Sequence, residues 1–311
     1  MSTIAVAGGT GTLGRAIVDE LVGSKAFQVF VFAREVNVAK EKEMGVKMVA
    51  VNYNDVNSIS EILEENKIDT VISTLGFTAG VNPELALIKA AEASSTTTRF
   101  IPSTWGLHYT PELVAKFPFA KHKADVLDCL EQTLLEYTAV MNGYFMDYFV
   151  SPHVKTYMSN MAPVIDMANN TAAIPASGDV PVVFTYSFDI GRFVTKLLKA
   201  PKWDKESFII GDKVTWNEFL KIAEEAKGVK FDVTHDTLEA LKRGQITELP
   251  SYQAMYAFFP KEQLLGIMAS FGVLFAEGDF DFKSAPLLND IYPDIKPRTV
   301  KELLNQAWKS S

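Results

Sequence analysis

The chain has 311 residues, 48% hydrophobic and 22% charged, with a formal net charge of -8. That length suits one large α/β unit or a large domain with a smaller partner, and the composition is that of a packed protein rather than a disordered one. The acidic balance, with no Lys/Arg run, excludes a general nucleic-acid binder, which needs a basic face.

Thr3–Ala7 reads as the first strand, and Gly11–Val22 as a helix with Leu13, Ile17 and Leu21 on one face. Gln28–Ala33 and Val46–Val51 are the second and third strands, and Asp55 is the N-cap of a helix through Glu64. Asp69–Ser73 is strand four, Pro83–Ala93 a helix with proline in its first turn, and Arg99–Pro102 strand five. Lys121–Leu135 reads as a helix and Tyr137–Met141 as strand six. This βαβα rhythm predicts a Rossmann-type, doubly wound parallel sheet over residues 1–150. After about Asn142 the rhythm changes. Tyr144–Tyr157 is rich in aromatics and methionine, Pro181–Tyr186 reads as a strand, Asp189 as the cap of a helix through Leu198, and Trp216–Ala226 as another helix. Residues 151–311 are therefore expected to form a smaller lobe packed on the first domain, with segments returning to it.

One cysteine, Cys129, permits no internal disulfide and points to a reducing compartment, so a cytoplasmic location is expected. No basic-then-apolar segment precedes the first strand, and no run approaches the ~18 apolar residues of a membrane span. His108, His122, His153 and His235 show no metal-ligand spacing, and no metal is expected.

Strand one runs into Gly8-Gly9-Thr10-Gly11-Thr12-Leu13-Gly14. Gly8 suits a tight turn, Gly11 a close approach of backbone to a pyrophosphate, and Gly14 the packing of helix on strand. The helix N-terminus then turns free N–H groups toward the phosphates. Lying between a strand and a helix, the loop predicts a dinucleotide site made by Gly8, Thr10, Gly11, Thr12, Leu13 and Gly14. Strand two ends Phe32-Ala33-Arg34, so the first charged side chain there is basic. Arginine suits the 2′-phosphate of NADPH, where a carboxylate would bind the ribose hydroxyl of NAD. Lys40 or Lys42 could add a second cation. Asn52 could touch the adenine edge or serve a turn. Thr74, Leu75 and Gly76 of the segment Thr74–Phe77 lie at the carboxyl edge of the sheet, and Asn142, just past strand six, completes the expected cofactor set.

Three segments together carry a resemblance: GGTGTLG, the strand-five stretch RFIPSTWG (Arg99–Gly106), and FAKHKADVLDCLE (Phe119–Glu131) leading into MNGYFMDYF (Met141–Phe149). With the closing Tyr292–Val300, they resemble the atypical short-chain dehydrogenases grouped as NmrA-like and isoflavone reductase-like proteins, which include phenylcoumaran benzylic ether and pinoresinol–lariciresinol reductases. The family reductases place a lysine eight residues before a glutamate, here Lys123 before Glu131. They carry Pro-Ser-Glu-Phe-Gly after strand five, where this chain has Thr104 and Trp105 at the third and fourth positions. One or two arginines usually follow the lysine, and here Leu127 and Asp128 stand there. The resemblance implies an NADPH-dependent reductase, or alternatively an NADP-binding, redox-responsive regulator that turns nothing over and has a protein partner.

The residues weigh the lysine independently. Typical short-chain dehydrogenases use Tyr-x-x-x-Lys, but Phe119 and Phe117 stand four residues before Lys123 and Lys121, and neither donates a proton. Lys123, Leu127, Leu130 and Leu134 share one helical stripe, and Lys121, Asp125, Asp128 and Gln132 another. Lys123 is therefore expected to face the sheet, as candidate acid and cofactor contact, and Lys121 to face solvent. His108 and His122 are weaker acid/base candidates. Trp105, Tyr144 and Phe145 are the candidate substrate contacts, within an aromatic- and methionine-rich set suited to an apolar phenolic or polyketide-type molecule. The partners expected are that small molecule, no nucleic acid and no membrane; a homodimer stays open.

Overall fold

A computed structural model describes the chain apart from residues 77–79, 162, 284–286 and 310–311. It divides into two compact units. One comprises Met1–Met141, Ser187–Ile209 and a stretch ending at Ile295; the other comprises Asn142–Tyr186, Ile210–Lys283 and the residues from Lys296. The first unit's opening segment closes at Met141 rather than at residue 150.

That segment holds β1 (Thr3–Ala7), α1 (Thr12–Ser24), β2 (Gln28–Ala33), α2 (Val38–Met44), β3 (Lys47–Ala50), α3 (Val56–Glu65), β4 (Thr70–Ser73), α4 (Asn82–Ala93), β5 (Arg99–Ile101), α5 (Pro111–Lys116), α6 (Lys121–Glu131), β6 (Glu136–Tyr137) and β7 (Ala139–Met141). The six-stranded parallel sheet runs β3-β2-β1-β4-β5-β6. Strand order reverses between β1 and β4, the place where ligands bind in such sheets. β1 and β4 are buried along their whole length, so neither shows the alternation of a half-exposed strand. Asp55 caps α3 by accepting the Ser58 N–H at 3.0 Å.

Several boundaries differ from the sequence reading. α2 was not expected: it is largely exposed, buries only Met44, and so shows no apolar stripe. Its signals lie at its ends, where the Asn37 side chain accepts the Lys40 N–H and Gly45 turns left-handed. α6 stops at Glu131 rather than Leu135. The Thr133 hydroxyl bonds back to Leu130 O at 2.7 Å, the Glu92 carboxylate takes the Leu134 N–H, and the Leu134 side chain is 96% exposed. The expected strand Tyr137–Met141 is two strands broken at Thr138, whose hydroxyl meets that of Ser207 at 2.8 Å.

The second unit begins with β8 (Tyr144–Phe145), β9 (Ile165–Asp166), β10 (Thr171–Pro175) and β11 (Pro181–Thr185). The chain then returns to the first unit with α7 (Ser187–Leu197), which packs on α1, and β12 (Glu206–Phe208), which pairs with β7. Asp189 is not the cap of α7; it lies inside the helix, ion-paired to Arg192 at 2.7 Å. β13 (Asp212–Thr215), α8 (Trp216–Lys227), β14 (Asp232–Asp236), α9 (Leu238–Lys242), α10 (Tyr252–Met255) and α11 (Lys261–Glu277) belong to the second unit, α12 (Leu288–Ile291) to the first, and α13 (Val300–Trp308) to the second. The second unit has two small sheets, β14-β10-β9 and β13-β11-β8, around a core of rings in which Phe149, Phe184, Trp216 and Phe219 stand 4.7–6.2 Å apart. Among the described residues no helix is long and apolar enough to cross a membrane, and no group of three or more metal-ligating side chains is found.

Candidate active site

The glycine loop crosses the carboxyl end of β1 and opens α1. Gly8 takes φ +77°, and a Cβ there would meet the Thr74 carbonyl at 2.8 Å. A Cβ on Gly14 would strike Thr74 Oγ1 at 2.4 Å and Gly8 O at 2.5 Å, so this glycine lets the helix close on the loop and on the end of β4. Gly11 differs: its missing Cβ would meet only Gly8 O, at 3.1 Å, and otherwise looks into open space. No side chain caps α1, so the N–H groups of its first turn, at Thr12, Leu13 and Gly14, stay available to an anion.

That open space is a cleft of about 910 Å³ lined by Gly8, Thr10, Gly11, Arg34, Asn52, Thr74, Leu75 and Gly76, together with Phe32, Tyr53, Ser58 and Pro83, which the sequence reading did not single out. Phe77 lies outside the described residues. Asn52 serves a turn as well as the cleft, since its Oδ1 accepts the Asn54 N–H at 3.1 Å. An adjoining hollow of about 520 Å³ holds Arg34 with Glu35, Asn37 and Lys40; Lys42 is not in its lining. A bare-backbone anion cradle joined to an arginine-lined hollow at the end of β2 fits a dinucleotide bearing an extra phosphate.

A second cluster lies at the carboxyl ends of β4 and β5. Lys123, in the first turn of α6, turns toward the sheet and donates its ammonium to the carbonyl of Ser103, with Ser103 Oγ at 3.4 Å. Lys121 turns the other way, 67% exposed and paired with Asp125 at 2.7 Å. Ser103 is held on two further sides. Its N–H donates to the Glu84 carboxylate at 2.6 Å, and its hydroxyl to the carbonyl of Leu75, a cleft residue, at 3.0 Å. Glu84, in the first turn of α4 beside the cleft residue Pro83, is 4% exposed. Burial pushes its carboxyl up, against the opposing pull of the Lys123 ammonium and the Ser103 N–H. Burial pushes the Lys123 ammonium down, against the opposing pull of Glu84. The Ser73 hydroxyl, buried at the same place, also helps hold the Glu84 carboxyl down, and the buried Thr104 hydroxyl has no hydrogen-bond partner among the described residues. Trp105 is also buried here, its indole N–H donating to Ser73 O at 3.0 Å.

In the first unit the cleft gathers Gly8, Thr10, Gly11, Arg34, Asn52 and Thr74–Gly76; Thr12, Leu13, Gly14, Trp105 and Lys123 are not in its lining, Trp105 contacting Ser73 and Lys123 contacting Ser103 beside it. Asn142, Tyr144 and Phe145 belong to the second unit. There Asn142 is fully buried, its carbonyl accepting the Thr185 hydroxyl at 2.6 Å. Tyr144 sits among aromatic rings with its hydroxyl buried and unpartnered, and Phe145 packs edge-on against Tyr148. Of the weaker candidates, His122 is exposed and His108 is paired with Glu206 at 2.8 Å. Glu84 is the residue the sequence reading missed. Its signal was there: Glu84, Leu87, Ile88 and Ala91 recur at helical spacing, and all four are buried.

Comparison with known proteins places this architecture. The profile of the NmrA-like family matches residues 1–304. The chain is 34% identical over 302 residues to Oxidoreductase BOA1 of Botryotinia fuckeliana, covering 96% of each chain. It is 26% identical over 329 residues to eugenol synthase 2 of Clarkia breweri, covering 98% of each. Its fold is similar to that of leucoanthocyanidin reductase from Vitis vinifera in its binary complex with NADPH, at a TM-score of 0.77 and 21% identity over 98% of this chain and 99% of that one. A family profile that spans nearly the whole chain, on a sheet and glycine loop of this kind, establishes that the protein belongs to the NmrA-like family.

Proposed function

We propose that this protein is an NADPH-dependent oxidoreductase that reduces an apolar aromatic small molecule, with Lys123 as the proton donor. The observation that carries the reading is Lys123 itself: a half-buried ammonium held by Ser103, whose hydroxyl in turn reaches the lining of the glycine-loop cleft. The loop and the first turn of α1 would hold the pyrophosphate, and Arg34 with Lys40 the 2′-phosphate. Bound NADPH supplies a hydride to a carbonyl, conjugated alkene or benzylic carbon. Lys123 then does the acid's work. An ammonium N–H bond breaks as the substrate oxygen gains a proton, leaving a neutral amine that recovers its proton from water. Partial burial favours this step, because an ammonium already destabilised by desolvation is a stronger acid than a solvated one.

The aromatic class of substrate draws support from the relatives, among them an enzyme named for a phenol, eugenol synthase. Trp105, beside Ser73 at the end of β4, remains a proposed substrate contact. The test follows NADPH oxidation across a panel of quinones, flavonoids and anthraquinone-type ketones, with NADH in parallel. Consumption of NADPH by at least one aromatic substrate is expected. Binding of NADPH without oxidation by any of the panel, together with capture of a protein partner that NADPH modulates, would move the reading to a redox-responsive regulator.

A further inference from the structure

Glu84 has no part in the reaction just described, yet its placement is costly. A carboxyl at 4% exposure forgoes hydration, which the Ser103 N–H and the neighbouring Ser73 hydroxyl restore only in part. Its seat in the first turn of α4 recovers part of that cost from the helix N-terminus. The rest depends on what faces it. Ser103 stands between Glu84 and Lys123, its N–H on the carboxylate and its carbonyl on the ammonium, so two successive peptide groups are each polarised by one of the two charges.

The elements packed against α6 bring other charges: Lys89 and Glu92 with Glu84 on α4, and Glu112 and Lys116 on α5. α6 itself carries Lys121, His122, Asp125, Asp128 and Glu131. Among the described residues the charge that acts on the Lys123 ammonium is that of Glu84, and Asp125 and Asp128 act on Lys121.

We propose that Glu84 is a positioning residue that, through Ser103, keeps Lys123 charged and aimed at the end of β5, so that the donor is loaded before substrate arrives. The proposal rests on the reading of Lys123 as the acid, but its core claim, that Glu84 governs the protonation of Lys123, stands apart from turnover and is tested apart from it. Glu84→Gln is the decisive variant. The amide oxygen can still accept the Ser103 N–H, so the contact survives and only the charge is lost. An ammonium left in a desolvated site without its counter-charge gives up its proton at lower pH.

The experiment titrates Lys123 by NMR in cofactor-free protein carrying isotope-labelled lysine side chains, its signal identified by its absence from Lys123→Met. The expected result is a titration midpoint in Glu84→Gln lower than in the parent by about one pH unit or more. Glu84→Asp, which keeps the charge, should move the midpoint back toward the parent value. A folded Glu84→Gln protein with an unmoved Lys123 midpoint overturns the proposal. If Glu84→Gln does not fold, the reciprocal measurement decides: in Lys123→Met the Glu84 carboxyl must titrate at higher pH than in the parent, and an unchanged carboxyl overturns the proposal equally. Once a substrate is known, the high-pH limb of turnover should move down in Glu84→Gln along with the Lys123 midpoint. A midpoint that moves while the limb does not leaves the coupling intact and refutes Lys123 as the acid.

Discussion

The two ligand-facing regions of the first unit are made of different material. The cleft at the ends of β1 and β2 is a backbone structure: Gly8 and Gly14 too crowded to accept a Cβ, Gly11 facing open space, an uncapped helix start, and one exposed arginine beyond it. The cluster at the ends of β4 and β5 is a side-chain structure, a buried carboxyl and a half-buried ammonium facing each other across one serine. In the first, added atoms either strike the loop, as at Gly8 and Gly14, or fill the space a ligand needs, as at Gly11, and pH should matter little. The second tolerates changes of shape and should be sensitive to changes of charge. Substitutions in each region test whether that division holds.

The largest effect belongs to the backbone region. Gly11→Val puts branched carbon into the space where a pyrophosphate would lie, and it should abolish NADPH binding in calorimetry while far-UV circular dichroism stays near that of the parent. Retained binding in a folded variant would show that the loop does not hold the phosphates. Next comes Lys123→Met, which keeps the stem and drops the charge. Turnover should fall by ~10²–10⁴-fold, the usual cost of losing a general acid, with NADPH affinity little changed. Glu84 should then take up a proton rather than remain as an uncompensated charge, which spares the fold. Arg34→Ala should weaken NADPH by roughly 1.5–3 kcal/mol and spare NADH, because only one cofactor carries the 2′-phosphate. The smallest effect is that of Lys121→Met, which removes an exposed ion pair two residues from Lys123 and should leave turnover and thermal unfolding as they were. Equal turnover by the Lys121 and Lys123 variants would undo the argument from helical faces.

The same division explains what could be read from the sequence. The sheet was legible because its central strands, buried on both faces, are short runs rich in β-branched and small residues, and the cleft because a backbone site leaves its mark directly as glycine spacing. Lys123 was legible because an ammonium on an apolar stripe stands out, even though Leu134, the last member of that stripe, lies beyond the helix in solvent. Glu84 sat on an equally plain stripe of α4, yet a glutamate in a helix's first turn has an ordinary explanation in the helix dipole, which masks an inward-facing one. Ser103 was not legible at all as a link. Its contacts are made largely by main-chain atoms, which every residue has, and only the tertiary approach of α4 and α6 to β5 selects this one. The break at Thr138 was hidden for a similar reason, since there the chain leaves β5 for β12, a partner far away in the sequence.

That main-chain link has a consequence for how the site can drift over generations. Codon changes at position 103 swap side chains, but the N–H that reaches Glu84 and the carbonyl that receives Lys123 are common to nearly all the alternatives. Alanine would forfeit the tie to Leu75 and keep both ends of the bridge, and proline alone would delete the donor. The connection is therefore shielded from most single-base changes in its own codon and exposed instead to insertions and deletions in the loop after β5, which would move a different peptide into the gap.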